Sequence, residues 1–220
     1  MTETAQRLTR LTRLTRRTRV ALVDDHAIVR SGLRRLIELE PSLTVSHEFA
    51  DGDAAYATLS SAVTDVLVLD ISMPGRDGLD LLWRMKLRDP GLKVIVFSMH
   101  DFQAMVQQAL RGGANGYVSK SRSSPQALVD AITQVREGKL QVDEALAPPP
   151  LASGRSDAPE QNLTPREFVV YRMMLAGASV ATIAQQLSLC AKTVSNYETI
   201  VRQKLGVETT FALLHQAQQR

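Results

Sequence analysis

The segment Val66-Leu67-Val68-Leu69-Asp70 restricts the fold of this chain more than any other. Four consecutive apolar residues, two of them β-branched, end in one carboxylate. There is no alternation, so both faces of such a strand must be covered, as in a parallel sheet with helices on either side. Charge is costly inside that sheet. Asp70 therefore belongs at the strand's carboxyl end, the rim where open α/β sheets bind ligands. The residues after it, from Ile71 to Gly78, contain one Pro and two Gly and read as a loop. The resulting expectation is a reactive carboxylate on a sheet rim.

Four more strands are expected, at Val20–Val23, Thr44–Phe49, Lys93–Phe97 and Gly116–Val118. Helices alternate with them at Ala27–Leu39, Asp53–Ser60, Leu79–Leu87, Phe102–Leu110 and Gln126–Glu137. In the first helix Ile28, Leu33, Leu36, Ile37 and Leu39 are expected on one side. Leu79, Leu82, Trp83 and Met85 supply the apolar side chains of the third. Five strand–helix units predict a flavodoxin-like, doubly wound α/β fold with strand order 2-1-3-4-5 and a switch point between the first and third strands.

That topology brings polar residues together. Asp24 and Asp25 follow the first strand and Asp70 ends the third, so three carboxylates converge at the switch point. Two like charges ~4 Å apart cost about 4 kcal/mol at an effective dielectric of ~20. Such a cluster calls for a cation, and an all-oxygen site with the backbone carbonyl of Ser72 as a further ligand suits Mg²⁺. Ser98 ends the fourth strand with a hydroxyl. Lys120 follows the fifth with an ammonium able to hold phosphate. Carboxylate, metal, hydroxyl and lysine are the parts needed to move a phosphoryl group onto Asp70.

The segments "VALVDDHAIVRSGL", "VLVLDISMPGRDGLDLL", "VIVFSMHD" and "GANGYVSK" resemble the receiver domain of two-component response regulators, over about residues 19–140. The resemblance implies that Asp70 is the phosphoacceptor, supplied by a sensor histidine kinase, with Asp24 and Asp25 holding the metal. It further implies that Ser98 is the switch hydroxyl, Tyr117 the switch aromatic that swings inward, and Lys120 the phosphate-sensing lysine. One departure follows Lys120: many receivers have Pro next, whereas this chain has Ser121-Arg122-Ser123-Ser124-Pro125. His26 and His100 lie near the same rim and read as ordinary loop residues.

The charge is unevenly spread. Residues 1–19 carry net +5, 20–142 net −2, 143–160 net −3 and 161–220 net +3. Residues 1–18, with three Arg-Leu-Thr repeats, match neither helix nor strand periodicity and are expected to be a disordered basic tail. Such an arm could touch DNA phosphates, although a tail outside the fold accounts for it more simply. Residues 141–162, with Pro148-Pro149-Pro150, read as a linker. No apolar run approaches the ~18 residues of a membrane helix, and the basic N-terminus lacks a signal peptide's apolar core. Cys190 is the only cysteine. A cytoplasmic protein without a membrane partner is expected.

Residues 163–220 are expected to form a second, all-helical domain. Thr164-Pro165-Arg166-Glu167 is a helix start with an N-cap, Pro at the first position and a capping box. Val180–Leu187, a tight turn in which Cys190 packs, and a longer helix from about Lys192 to Leu205 make a helix-turn-helix; Thr209–Gln219 would be a fourth helix. On the long helix Val194, Ile200, Val201 and Leu205 are expected inward. Lys192, Thr193, Ser195, Asn196, Arg202 and Lys204 are expected outward, suited to phosphates and base edges of double-stranded DNA. Periodicity by itself also allows a plain four-helix bundle that contacts protein. The segments "LTPRE", "IAQQLSL" and "KTVSNYETIVRQKLGV" resemble the LuxR-type helix-turn-helix of the NarL/FixJ subfamily, and "VALVDDHAIVRSG", "DISMP" and "SMHD" resemble the UhpA-like group of hexose-phosphate uptake regulators. This resemblance implies a non-enzymatic transcription regulator that binds DNA as a homodimer when phosphorylated. Two rivals stand beside it: a protein-binding switch without specific DNA binding, and an aspartyl-phosphate phosphohydrolase. The hydrolase would favour a second Asp two residues after the nucleophile, where this chain has Ser72.

Overall fold

β3, Val66–Leu69, is buried at every position and runs through the middle of the sheet. A computed structural model describes residues 16–73, 78–100, 103–142, 146, 159–187, 189–209 and 212–213. Around β3 lie β1 (Thr18–Val23), β2 (Leu43–Phe49), β4 (Lys93–Ser98), β5 (Gly116–Ser119) and β6 (Gln141–Val142), in the order β2-β1-β3-β4-β5-β6. Every pairing is parallel; Val66 lies between Val20 of β1 and Lys93 of β4. Helices α1 (Ala27–Glu38), α2 (Gly52–Thr58), α3 (Gly78–Arg88), α4 (Gln103–Arg111) and α5 (Pro125–Arg136) connect the strands. One apolar layer contains Leu33, Ile37, Leu128 and Ile132 of α1 and α5, and the other contains Leu82, Met85, Met105 and Ala109 of α3 and α4. The doubly wound reading holds.

Four local expectations change. The sheet has a sixth strand, in what reads as the start of a linker: Gln141 and Val142 pair with Gly116 and Tyr117. A two-residue strand carries no periodicity and exists only because the edge of β5 is available to pair with it. Within the same segment Leu146 is 5% exposed and Pro159–Asn162 form a 3-10 turn, so 141–162 is not simply a spacer. At the other end β1 begins at Thr18, and Arg16 and Arg19 both pair with Asp65, so the expected tail is shortened from its C-terminal side; residues 1–15 lie outside the described residues. In α1, Leu33 and Ile37 are buried, but Ile28 and Leu39 are 89% and 78% exposed. At 100° per residue those two positions fall outside the stripe that faces the sheet.

The C-terminal helices are α6 (Pro165–Leu175), α7 (Val180–Leu187) and α8 (Ala191–Leu205). The capping box forms as expected: Thr164 Oγ1 accepts from Glu167 N at 3.3 Å, and Glu167 Oε2 accepts from Thr164 N at 2.8 Å. Gly206 ends α8 in the left-handed conformation at φ 69°, which a residue with a Cβ reaches only under strain. Val194, Val201 and Leu205 are buried as expected, while Ile200 is half-buried. Most of the expected fourth helix lies outside the described residues; Ala212 and Leu213 are helical.

The two helical layers meet. α6 packs against α3 and α4. Fully buried Gln108 donates through Nε2 to Leu163 O at 2.8 Å. Arg166 forms an ion pair with Asp80, which is 1% exposed, and its guanidinium lies 5.5 Å from the centre of the Trp83 ring. No helix among the described residues is long and apolar enough to cross a membrane.

Candidate functional site

The site lies at the carboxyl ends of β1, β3, β4 and β5. Ladder bonds carry it there: Asp24 N donates to Phe49 O at 3.2 Å, Asp70 N to Val23 O at 2.8 Å, and Lys120 N to Ser98 O at 2.8 Å. Asp24 and Asp70 are each 2% exposed. The Lys120 ammonium lies between them, 2.7 Å from Asp24 Oδ2 and 2.7 Å from Asp70 Oδ2. Buried carboxylates without a paired cation would be strongly unfavourable, and one ammonium here serves two. The remaining oxygens take amides. His26 N donates to Asp24 Oδ1 at 2.7 Å, and Ser72 N to Asp70 Oδ1 at 2.8 Å. The second bond is an Asx-type turn that fixes the carboxylate as the chain leaves the strand.

Asp25 is the more open member. His26 Nδ1 lies 2.9 Å from its Oδ1, yet that buried oxygen makes no hydrogen bond to the described residues. Ligand atoms of Asp24, Asp25, His26 and Asp70 all fall within 4.8 Å of one another. Three carboxylates against one ammonium leave a surplus of negative charge, and a mostly oxygen donor set fits a hard divalent cation.

Ser98 is fully buried at the end of β4. Its Oγ accepts from His100 N at 3.1 Å and lies 3.4 Å from Ser72 Oγ. Tyr117 is also fully buried, and its hydroxyl donates to His100 O. The ring lies in the same apolar cluster as Phe168 and Val169 of the C-terminal helices. His100, read as an ordinary loop residue, links Ser98 and Tyr117 through its own amide and carbonyl. No side-chain pattern signals that role, because backbone atoms perform it.

Gly78 ties the acceptor strand to α3. A Cβ there would lie 2.3 Å from Ile71 Cα and 2.7 Å from Asp70 O, so only glycine lets the helix start against that backbone. Two residues later, Asp80 meets Arg166. The acid pocket and the domain junction are thus joined by one turn of helix. Sequence reasoning missed the Asp80–Arg166 pair because the partners lie far apart in the chain and Arg166 reads as part of a helix cap.

On α8, Lys192, Ser195 and Asn196 are exposed, and Thr193 and Arg202 are half-buried. Lys204 is exposed as expected, and its ammonium also lies 2.6 Å from Glu167 Oε2 and 3.4 Å from Asn162 O. Burial raises the Glu167 pKa, but the Lys204 and Thr164 hydrogen bonds outweigh it and hold the carboxyl below its usual range. Cys190 is exposed rather than packed in the turn. Its Sγ lies 3.0 Å from Thr193 Oγ1, a contact that lowers the thiol's pKa.

Comparison with known proteins joins these two regions. Residues 20–133 match the model of the response regulator receiver domain, and residues 161–217 match that of the bacterial regulatory proteins of the luxR family. The chain is a NarL/FixJ-type response regulator. Transcriptional regulatory protein UhpA of Salmonella typhimurium is 42% identical over 196 residues, covering 89% of this chain and 95% of UhpA. The nitrate/nitrite response regulator NarL of Escherichia coli is 30% identical, covering 86% and 90%. Among solved structures, promoter-bound RcsB of Salmonella enterica serovar Typhimurium, with the phosphomimetic BeF3-, matches with a TM-score of 0.70 at 31% identity, covering 90% of this chain and 96% of RcsB. A response regulator with this output domain is a DNA-binding transcription regulator.

Proposed function

We propose that Asp70 accepts a phosphoryl group from the phosphohistidine of a sensor kinase and that this modification controls promoter binding through α8. The observation that carries the reading is the Lys120 ammonium held 2.7 Å from both Asp24 and Asp70. It is a cation placed where transferring phosphoryl oxygens would arrive. An Asp70 carboxylate oxygen attacks phosphorus; the P–O bond forms as the P–N bond breaks, and the electron pair stays on the imidazole nitrogen. Asp24, Asp25 and Asp70, with the Ser72 carbonyl, would hold Mg²⁺, which when bound neutralises charge on the phosphoryl oxygens. Lys120 orients the incoming group. Ser98 gives up its present contacts to donate to a phosphoryl oxygen. Withdrawing Ser98 loosens the His100 backbone, to which the Tyr117 hydroxyl is bonded, and so lets the Tyr117 ring shift.

The output is DNA. Lys192 and Arg202 suit phosphates, and Ser195 and Asn196 suit base edges, with Thr193 beside them. The receiver packs on α6, leaving the exposed residues of α8 open. That arrangement favours activation by pairing of two copies over release of a masked helix, and two copies match two half-sites. A DNA target places the protein in the cytoplasm.

The test combines labelling and retention. Acetyl phosphate with Mg²⁺ should label the full chain, and Asp70→Asn should abolish the label with the fold retained. Gel shift with genomic fragments should show retention that grows with the label. Labelling of Asp70→Asn would move the acceptor elsewhere, and absence of retention at low salt, with or without donor, would favour a protein-binding switch.

A further inference from the structure

We propose that Ser119 is a positioning residue for Lys120: its hydroxyl closes the turn after β5 and so holds the Lys120 ammonium in the acid pocket. The proposal rests on the reading of Asp70 as phosphoacceptor. Ser119 is the last residue of β5 and fully buried. Its Oγ accepts the amides of Ser121 and Arg122, each at 3.3 Å, and lies 2.9 Å from Ser121 Oγ. Its carbonyl accepts the Ser123 amide at 3.1 Å. Four contacts thus converge on the residue immediately before the lysine.

The physical need for them is specific to this chain. Proline, common at the next position in receivers, fixes φ and has no N–H to satisfy. Ser121 leaves φ unfixed and adds a donor. A serine hydroxyl accepting from the amide two residues on closes such a turn and satisfies that donor at once. Further along, Ser124 caps α5 by accepting from Ala127 N at 3.3 Å, ahead of Pro125 in the first turn. The loop is therefore anchored by a serine hydroxyl at each end. Lysine carries its charge on a flexible four-carbon stem, so its aim depends on the backbone that bears it. Lys120 N is held on Ser98 O at 2.8 Å, and the Ser119 hydroxyl fixes the chain on the far side of residue 120, where the ammonium meets Asp24 and Asp70 together and lies 5.4 Å from the Phe97 ring centre.

The experiment uses the full chain with acetyl phosphate, which needs no kinase docking. For Ser119→Ala the labelling rate at saturating donor should fall about tenfold through misplacement of a catalytic group. The donor concentration for half-maximal rate should stay unchanged, and the melting temperature should fall by only a few degrees, well short of unfolding at the assay temperature. Amide exchange at Ser121 and Arg122 should rise, with exchange within β5 unaltered. Ser119→Thr, which keeps the oxygen, should return both readouts. If Ser119→Ala does not fold, Ser119→Cys carries the same test with similar volume and a much weaker acceptor. The proposal is overturned by an undiminished saturating rate, by a rate loss that only tracks the melting temperature, or by Ser119→Thr behaving like Ser119→Ala. Absence of label on the unsubstituted chain would instead overturn the assignment of Asp70; unchanged exchange at Ser121 and Arg122 would then overturn the turn itself.

Discussion

The acid pocket and the domain junction each bury an ion pair, and the two are built for different ends. In the pocket one ammonium, Lys120, is divided between Asp24 and Asp70, with Asp25 beside them. At the junction one guanidinium, Arg166, meets one carboxylate, Asp80, against the Trp83 ring. The first site has surplus negative charge and a buried oxygen, Asp25 Oδ1, without a hydrogen bond to the described residues. In the second, Arg166 offsets Asp80 directly. A surplus calls for a further cation and then for an anion to match it; a direct guanidinium–carboxylate pair between two helices serves as a clasp. Burial by itself therefore does not mark a reactive site, but charge imbalance within burial does.

The sharpest break between the two comes from removing each cation. Lys120→Ala should lower stability by about 3–5 kcal/mol because buried charge is left unpaired. Mg²⁺ should restore much of that loss in urea melts, since the pocket can exchange one cation for another. Arg166→Ala should cost a similar ~3–5 kcal/mol, with no recovery on adding Mg²⁺. Equal recovery in both variants would erase the distinction.

Gly78→Ala probes the turn of helix that joins the sites. Its Cβ meets backbone rather than a flexible side chain, so overpacking should cost about 1–3 kcal/mol. Both Asp70 labelling and domain docking should suffer, the latter read as faster proteolysis between residues 142 and 159. Loss of only one would show that α3 does not couple them.

A smaller effect concerns Glu167, whose folded pKa is depressed by Lys204 and Thr164 despite its burial. A carboxyl depressed on folding contributes stability that is present above its unfolded pKa and lost as pH falls through the folded one. Glu167→Gln should therefore flatten the decline in melting temperature below about pH 4.5, near the ordinary carboxyl value, and leave Mg²⁺ dependence unchanged. Smallest of all, Ile28→Ser should change stability by less than about 0.5 kcal/mol, because the side chain is 89% exposed.

The central strand, the alternation of strands and helices, and the meeting of Asp24, Asp25, Asp70 and Lys120 were legible in the chain because each follows from local rules. An uninterrupted apolar run means burial on both faces. Parallel topology sends every such strand's carboxyl end to one rim, and polar residues placed just past the runs must gather there. The capping box of α6 was legible for the same reason, being contained in four consecutive residues. Lys204 points outward as its periodicity states, but periodicity does not state what it meets; Cys190, expected to pack in the turn, is exposed because a turn residue has no periodicity to place it. Tertiary structure alone decided that Lys204 pairs with Glu167, that Tyr117 is fully buried, that β6 covers the edge of β5, and that Asp80 clasps Arg166. Each of these joins residues distant in sequence through contacts that form only after the layers have packed, and no local periodicity encodes such a contact.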